Sequence, residues 1–351
     1  ADGDVPGEGR AYLFLSGPSG IDPLPVWRGH PADEEGARFG ASVSVAFNVH
    51  GDGLTSTIGG SYPPPVWMNA PGDGNSHTLT ITVDSGSACV ITSRIGVHPD
   101  GVGKGALTKA GAGLLTLSGS NTYSGNVQIS DGTLTISSGS SGTANGLGAN
   151  TAGKTVTVAS GATLTSTATD SIDYYSTTSN YLAFIIQGAW DNNPADTAGT
   201  GFQRTDNLTL QGATINDRGQ HGGDYGGILM SGTVNVSGSA PSAYNQLGGG
   251  SGLGILSTTF NVADATGDMN ADFTVNGVIR DTPVGAGRST KTGAGTMVLV
   301  ATNTHTGGTF VNSGVMLVNG VNGGNVTLGT GATVGGSGGV AGSGACTTRK
   351  P

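Results

Sequence analysis

The sequence predicts an all-β protein whose larger part is a parallel β-helix, a solenoid of short stacked strands. Of its 351 residues, 66 are Gly and only 11% are charged, yet Val, Ile and Leu recur in short alternating runs between the glycines. Such runs between turn residues indicate many short strands rather than a disordered tract. No segment keeps a 3.6-residue apolar period free of Gly and β-branched residues, so long helices are not expected.

One segment of the chain occurs twice at a fixed offset. Residues 107–137 read LTKAGAGLLTLSGSNTYSGNVQISDGTLTIS, and residues 289–318 repeat the pattern as STKTGAGTMVLVATNTHTGGTFVNSGVMLV. The shared positions are Lys109 and Lys291, Gly113 and Gly295, Asn121 and Asn303, Gly125 and Gly307, and Gly132 and Gly314. Repetition at a fixed spacing is typical of a solenoid, because each unit buries its apolar side only against its neighbours.

Within residues 107–137, apolar and polar residues alternate in a way that fits three short strands. The residues predicted to face inward are Leu115, Leu117, Val127, Ile129, Leu134 and Ile136. Those predicted to face outward are Thr116, Ser118, Gln128, Ser130, Thr133 and Thr135. Similar segments at 154–167, 207–217, 232–238, 258–279 and 324–344 predict about ten rungs and a rod of roughly 50 Å.

The motif L-T-K-x-G-x-G-x-L-x-L-x-G-x-N-T-Y-x-G, followed by x-G-T-L-x-I, resembles the autotransporter-associated β-strand repeat. The match is strong at 105–137 and 288–318, and with copies at 258–279 and 324–342 it covers much of 101–345. This resemblance implies a right-handed parallel β-helix displayed outside the cell, with an adhesive or structural role. The expected domains are a β-rich N-terminal module at 1–98, the β-helix at 99–345 with loop insertions at 170–206 and 216–254, and a C-terminal tail at 346–351.

The N-terminal module differs in composition from the repeats. It holds most of the prolines, two of the three tryptophans and an acidic cluster at 33–35. Its segments GRAYLFLSGPSG at 9–20 and ARFGASVSVAFNVHGDG at 37–53 resemble a single FG-GAP repeat, the blade unit of integrin-α-type β-propellers. The calcium loop of that family needs acidic residues where this chain has Asn48 and His50, so no calcium is expected there.

The charge balance and hydropathy exclude two classes of partner. A formal net charge of −9, with only 14 Lys and Arg, offers no basic stripe for nucleic acid. No apolar run approaches the length of a membrane span, so no insertion into a membrane is expected. The sequence begins ADGDVPGEG without Met, as a processed mature end does, which favours a secreted, extracellular or surface-bound protein.

The sequence offers no arrangement typical of an enzyme. Sugar-cleaving β-helices need paired carboxylates, whereas the outward positions of the repeat rungs are mostly Ser, Thr, Gln and Asn. Asp191, Asp196 and Asp206 share one segment but nothing pairs them, and no GxSxG nucleophile motif occurs. We therefore expect neither catalysis nor a bound cofactor.

Residues 264–272 form a weak candidate for a calcium site. The oxygen-bearing side chains are those of Asp264, Asp268, Asn270 and Asp272. Their alternating spacing suits Ca²⁺, although the bidentate Glu that closes such loops is missing. The alternative is a plain acidic turn between two strands.

The chain has two cysteines, Cys89 and Cys346. They are candidates for a disulfide, within one chain or between neighbouring subunits, in an oxidising compartment. The alternative is two unpaired thiols; no CxxC motif accompanies them.

The two repeat copies differ at their outward positions. At the fixed offset, Thr116, Ser118, Gln128 and Thr135 correspond to Val298, Val300, Phe310 and Leu317. Exposed apolar faces on strands mark contact surfaces. The four apolar residues are therefore predicted to contact another subunit, unless a loop of the same chain covers them.

A second candidate surface lies in residues 170–206, which interrupt the repeat with aromatic residues. The candidates for stacking on sugar rings are Tyr174, Tyr175, Tyr181 and Trp190. The alternative is that these rings cap the hydrophobic side of the rod.

Two functions are expected from these patterns. The leading one is an extracellular structural rod that self-assembles into a fibre or surface layer, because a β-helix ends in open strand edges that can add further strands. The alternative is a monomeric surface adhesin that binds glycan or a cell surface through 170–206 and 216–254. The expected partner is accordingly a second copy of the chain or a glycan.

Overall fold

Short strands make up the regular structure of this protein. The computed structural model describes residues 66–68, 75–99, 103–139, 145–168, 170–172, 182–194, 203–219, 227–249, 252–283 and 285–340, together with the backbone of six short strands outside these ranges. The two segments that resemble an FG-GAP repeat lie largely outside the described residues. In the part of the chain that is described, no helix is long and apolar enough to cross a membrane.

In the part of the chain that the structure describes, thirty-three strands follow one another, numbered from the N-terminal end. The first eleven are β1 (Ala11–Leu13), β2 (Ser16–Gly17), β3 (Gly20–Ile21), β4 (Trp27–Gly29), β5 (Thr55–Ile58), β6 (Val66–Trp67), β7 (Thr78–Thr82), β8 (Ala88–Ile91), β9 (Ile95–Gly96), β10 (Ala106–Ala110) and β11 (Leu114–Leu117). The next eleven are β12 (Val127–Ile129), β13 (Thr133–Ile136), β14 (Thr155–Val158), β15 (Thr163–Ser166), β16 (Ala183–Ile186), β17 (Ala189–Asn192), β18 (Gln203–Leu210), β19 (Thr214–Asp217), β20 (Ile228–Val236), β21 (Ser242–Gln246) and β22 (Leu253–Val262). The last eleven are β23 (Phe273–Val275), β24 (Ile279–Arg280), β25 (Arg288–Thr292), β26 (Thr296–Leu299), β27 (Thr309–Val311), β28 (Val315–Val318), β29 (Val321–Asn322), β30 (Val326–Leu328), β31 (Thr333–Gly335), β32 (Gly339–Val340) and β33 (Thr347–Thr348).

Most of these strands stack into two long parallel sheets that form two faces of one coil. Sheet A has 13 strands, in the order β33, β30, β27, β25, β22, β20, β18, β16, β14, β12, β10 and β7, with β24 beside β22. Sheet B has 12 strands, in the order β31, β28, β26, β23, β21, β19, β17, β15, β13, β11, β8 and β5. Each coil adds one strand to sheet A and the next to sheet B, so successive coils lie about 4.8 Å apart. The predicted all-β parallel β-helix is confirmed.

Inward side chains form continuous columns through the stack. In sheet B one column runs through Cys89, Leu115, Leu134, Leu164 and Trp190. In sheet A another runs through Leu107, Val127, Val156, Phe184 and Leu208. All ten side chains are buried, and each aliphatic one stabilises the fold by roughly 1.5–3 kcal/mol relative to an exposed position.

The glycines shared by the two repeat copies are needed for two different reasons. Gly132 and Gly314 turn the chain with φ of 63° and 70°, a region that other residues rarely adopt. Gly113 and Gly295 instead lie against the preceding coil. A Cβ atom on either would come within 2.2 Å of a backbone carbonyl oxygen of that coil. The recurring glycines are therefore required either for tight turns or for the close approach of neighbouring coils.

The solenoid begins before the predicted domain boundary at residues 98 and 99. β7 pairs in parallel with β10, and β8 lies between β5 and β11 in the same parallel arrangement. The boundary prediction is wrong because the prolines and tryptophans of this region are interleaved with strands that already belong to the coil.

The described parts of the two predicted loop insertions contain strands of the solenoid. Residues 170–206 contain β16, β17 and the start of β18, and residues 216–254 contain β20, β21 and the start of β22. β18, β20 and β22 are 8, 9 and 10 residues long and are the longest strands of the structure as described. These segments read as insertions because polar and aromatic residues occupy inward positions that are aliphatic elsewhere.

Candidate functional site

The lysine of each repeat copy is buried and ties two coils together. Lys109 and Lys291 are both 0% exposed. Their Nζ atoms donate to the carbonyl oxygens of Gly111 at 2.5 Å and Asp131 at 3.0 Å in the first copy, and of Gly293 at 2.9 Å and Ser313 at 3.1 Å in the second. Burial lowers the pKa of each lysine to about 8. The repeat lysine therefore has an architectural role.

The asparagine of each copy also bridges coils, but the two copies differ. Asn121 Oδ1 accepts a hydrogen bond from Ile95 N, and its Nδ2 donates to Gly146 O, both at 2.8 Å. Asn303 Oδ1 accepts from Ile279 N at 2.8 Å. Its Nδ2 is buried without a hydrogen-bond partner among the described residues. The repeat lysines and asparagines thus hold the coils of the rod together.

Long connections leave the coil on one side, which we call the loop side. In four successive coils, the connections from sheet B back to sheet A are 167–182, 193–202, 218–227 and 247–252. Because the flanking strands stack in parallel register, these connections emerge one above another. The turns from sheet A to sheet B in the same coils are shorter. The fold therefore places the first and last residues of these connections along one edge of the middle coils.

A buried amide anchors the first of these connections. Gln203 Oε1 accepts hydrogen bonds from Ile172 N at 3.1 Å and Ser171 Oγ at 3.2 Å. Its Nε2 donates to Ala168 O at 2.6 Å. Gln203 lies one full coil later in the chain, so it fixes the N-terminal end of the connection from the neighbouring layer.

A buried carboxylate anchors the third connection at both ends. Asp217 Oδ1 accepts from Asn192 Nδ2 at 2.9 Å and Gly219 N at 3.1 Å. Its Oδ2 accepts from Ile228 N at 3.1 Å and Tyr244 Oη at 2.8 Å. Burial, together with the Asp217 carboxylate, raises the pKa of Tyr244 well above its usual value. Asp217 therefore holds residues on both sides of 220–226.

Neither anchor was predicted from the sequence, although a signal for one of them exists. In the segment NLTLQGATIND at 207–217, the inward positions alternate through Ala213 and Ile215 to Asp217. An acid at an inward strand position indicates a buried hydrogen-bonding role, because an isolated buried charge is costly. Gln203 lies at the start of the unusually long strand β18 and has no such pattern.

Trp190 cannot bind a sugar. Its side chain is 0% exposed, and its ring stacks on Phe184 with centroids 5.8 Å apart and planes 7° apart. Its Nε1 donates to Ser166 Oγ at 3.2 Å. The prediction for Trp190 is wrong because the residue occupies an inward position of β17. Tyr174, Tyr175 and Tyr181 belong to the first connection of the loop side and lie outside the described residues.

The four residues predicted as one subunit contact do not share a face. Val298 and Leu317 are paired neighbours in sheet B, and Val300 directly follows β26 there. Phe310 lies in β27 of sheet A. Val300 is 43% exposed, whereas Val298 is only 8% exposed. The prediction of a single apolar face is wrong, because the chain passes from one sheet to the other between residues 299 and 309.

The acidic segment 264–272 has the hydrogen bonding of a turn. Asp272 is buried, and its Oδ1 accepts from the backbone N of Ala265 at 2.7 Å and of Thr266 at 2.8 Å, while its Oδ2 accepts from Thr296 N at 2.7 Å. Asp264 Oδ1 accepts from Gly267 N, and Asp268 Oδ1 accepts from Asn270 N, each at 2.8 Å. Across the described ranges, no group of three His, Cys, Asp or Glu side chains is placed to hold a metal ion. These are the hydrogen bonds of an acidic turn, and the calcium site stays a prediction.

Cys89 is a buried, free thiol near one end of the stack. Burial raises its pKa. Cys346 lies outside the described residues, but β33 directly after it pairs with β30 at the opposite end of sheet A from β7. The predicted disulfide, within one chain or between neighbouring subunits, stays a prediction.

Comparison with known proteins supports the repeat assignment. The family model described as passenger-associated-transport-repeat matches residues 107–136 and 290–318, the two copies recognised in the sequence. The chain is also 30% identical over 252 residues to the Adhesin BmaC autotransporter of Brucella suis biovar 1 (strain 1330).

That similarity covers 61% of this chain but only 7% of the relative, so the chain spans a small part of the length of the curated protein it matches. No solved structure matches the chain. Both matches agree with a passenger domain at the cell surface or outside the cell, as the sequence predicts.

Proposed function

We propose that this chain, which is an autotransporter passenger-like repeat protein, is a surface adhesin segment that binds glycan through its loop side. The rod sets the spacing of the loop side, and the connections supply the contacts. The observation that carries the proposal is the anchoring of these connections by buried polar side chains within the solenoid core.

These anchors fix the ends of the connections in addition to joining neighbouring coils. Gln203 and Asp217 occupy core volume that an aliphatic residue could fill, and a buried polar group destabilises the fold unless its hydrogen bonds are satisfied. Most of the hydrogen bonds they make go to residues flanking 173–181 and 220–226. Fixing the ends of a segment reduces the conformational entropy that it loses on binding.

The composition of the loop side suits carbohydrate. Tyr174, Tyr175 and Tyr181 in the first connection and Phe202 in the second offer aromatic rings to sugar faces. Arg218 Nε donates to Asp191 Oδ1 at 2.8 Å on the surface of the coil. The relative named above is called an adhesin, and the proposal carries that role over to this chain.

The test is a glycan array probed with loop-side variants. Residues 173–181, 195–202 and 220–226 are each replaced by a short Gly-Ser segment, and circular dichroism verifies that the rod still folds. The matched control replaces residues 267–270, which lie in the acidic turn on the other corner of the coil. We expect glycan binding by the parent chain and the control, with loss in at least one loop-side variant. Full binding by all three loop-side variants, or no binding by the parent chain, would refute the proposal.

Self-assembly into a fibre or surface layer is the second candidate function. What supports it is a small apolar patch on sheet B, where exposed Val300 lies beside the paired residues Val298 and Leu317. Electron microscopy and sedimentation velocity at increasing concentration test this candidate, with Val300→Asp as the variant. Filaments that disappear with Val300→Asp would support it, and a monomer at every concentration would reject it.

A further inference from the structure

Phe310 is an aromatic residue on the outer face of sheet A, and its neighbours in register are threonines. Its partners in register are Thr290 in the preceding coil and Thr327 in the following one, and Thr259 precedes Thr290 in the same column. The neighbouring residues Thr309 and Val311 point inward and are buried. Because the ring lies outside the coil, it contributes little to the core, and a Thr at this position would build the same strand.

A groove opens beside the Phe310 ring. It has a volume of about 360 Å³, within the range of small-ligand sites. Its rim is formed by Thr306, Asn325 and Thr327, and the glycine pairs at 307–308 and 323–324 complete its lining. Gly308 has a φ of +84°, and a Cβ atom on it would point to within 3.6 Å of the Phe310 ring. The glycines thus keep the space beside the ring open.

A cation lies over the same ring. The guanidinium carbon of Arg288 is 4.0 Å from the centre of the Phe310 ring, a cation–π distance. The Arg288 side chain is exposed and forms no ion pair with any carboxylate in the described ranges. A guanidinium in this state can bind an incoming carboxylate through two parallel hydrogen bonds.

Asp281 contacts the residue before Arg288, and its carboxylate is already used by the corner of the coil. Asp281 Oδ1 accepts from Gly287 N at 2.6 Å and from Thr306 N at 2.8 Å, and its Oδ2 accepts from Thr306 Oγ1 at 2.7 Å. These bonds fix Thr306 at the rim of the groove. They also hold both carboxylate oxygens of Asp281 against the corner, which leaves Arg288 as the charged group available to a ligand.

The geometry points to a binding site for a carboxylate-bearing sugar residue of a glycan, centred on Phe310 and Arg288. The guanidinium covers one face of the ring, so the sugar would lie against the part of the ring that borders the groove. Its carboxylate would reach the guanidinium and its hydroxyls the polar rim. A peptide added as an extra strand does not fit here, because β27 is paired on both sides, with β25 and β30. The inference takes glycan as the ligand class from the proposed function. It adds a second site, separate from the loop side and formed by later coils.

The experiment is titration calorimetry of the full chain with a panel of uronic-acid and sialic-acid oligosaccharides. Each oligosaccharide is paired with its methyl-esterified form, which keeps the sugar ring and removes the charge. The variants are Phe310→Ala, Arg288→Gln and Arg288→Lys, with Thr259→Ala, two coils away in the same column, as the matched control.

We expect at least one acidic oligosaccharide to bind the parent chain. Methyl esterification of that sugar should lower its affinity about tenfold or more, and so should each of the variants Phe310→Ala and Arg288→Gln. Arg288→Lys should retain part of the affinity, because it keeps the charge but loses the two-point geometry. Thr259→Ala should bind like the parent chain.

Several results would overturn the inference: no binding by any acidic member of the panel, equal binding of acid and ester, or unchanged binding by Phe310→Ala. Preferential binding of the neutral esters would assign the groove to uncharged sugars and also reject the proposal. The loop-side replacements separate the two proposals. If all three replacements keep array binding while acidic sugars bind at Phe310, only the groove stands. If a replacement loses array binding while the acidic panel fails to bind at Phe310, only the adhesin proposal stands.

Discussion

The ammonium group of Lys154 lies 4.5 Å from the centre of the Tyr123 ring and donates to the Tyr123 carbonyl oxygen at 3.2 Å. The same Nζ donates to Leu147 O at 2.5 Å and to Ala149 O at 3.3 Å. Lys154 and Tyr123 are both buried. This contact ties the segment around residue 148 to the preceding coil, in the same way as the repeat lysines tie their turns.

The first prediction concerns the pH dependence that Lys154 creates. Burial lowers the pKa of Lys154 to about 7 in the folded chain, whereas an unfolded lysine keeps its proton to much higher pH. Above pH 7 the unfolded chain therefore binds more protons, so stability rises with pH, by up to about 1.4 kcal/mol per pH unit from this residue. Lys109 and Lys291 act in the same direction above about pH 8.

Urea unfolding between pH 6 and 9 measures this slope in the parent chain and in Lys154→Met. We expect a shallower rise in the variant, because Met carries no titrating group while it fills the same core volume. An identical slope in the two proteins would show that Lys154 keeps its ordinary pKa.

The second prediction compares the two repeat asparagines. Asn121→Ala leaves Ile95 N and Gly146 O without their partner, whereas Asn303→Ala leaves only Ile279 N and removes a buried Nδ2 that already lacked one. We expect Asn121→Ala to cost about 1–2 kcal/mol more in free energy of unfolding than Asn303→Ala. Each variant is the control for the other, and equal losses would contradict the difference between the two copies.

The third prediction tests the anchor of the third connection. Asp217→Asn replaces one acceptor oxygen by an amide donor that faces donors, so at least one buried hydrogen bond is lost. We expect a loss of about 2–4 kcal/mol and faster proteolysis within 220–226. The control is Asp264→Asn, which alters only an exposed turn. Unchanged protease sensitivity of 220–226 would mean that Asp217 does not hold it.

The fourth prediction concerns Cys89. Because its thiol is buried, we expect no reaction with a thiol reagent in native buffer and full reaction in denaturant, read by mass spectrometry of the peptide that contains it. The labelling of Cys346 is measured in the same experiment on a different peptide. Finding Cys89 in an intermolecular disulfide, by gel mobility with and without reductant, would contradict its position in the core.

The rod could be predicted from the sequence because it is built from short residue patterns that repeat along the chain. Alternation at Leu115 and Leu117 predicts the inward columns, and turn glycines such as Gly132 predict the corners. The same patterns do not predict which strands of a coil join sheet A and which join sheet B. Val298 and Phe310 are only twelve positions apart, and which sheet each one joins depends on the pairing of whole coils.

The candidate site was harder to predict, since its determinants are contacts between coils. Arg288 and Phe310 meet only because β25 and β27 are neighbours in sheet A. Trp190 was predicted as a surface ring because it lies in a segment rich in aromatic and polar residues. Its burial follows from the alternation within β17, which the surrounding polar residues obscured.

The most direct measurement of the central claim is position-specific photo-crosslinking to a glycan-bearing cell surface. A photoreactive residue is placed at Tyr175, Tyr181 or Phe202 on the loop side, or at Met269, which is 87% exposed on the other corner of the coil. The adhesin proposal predicts crosslinks from loop-side positions that are lost when the cells are treated with glycosidases, and none from Met269. Crosslinks from Met269 alone, or equal crosslinking from every position, would contradict it.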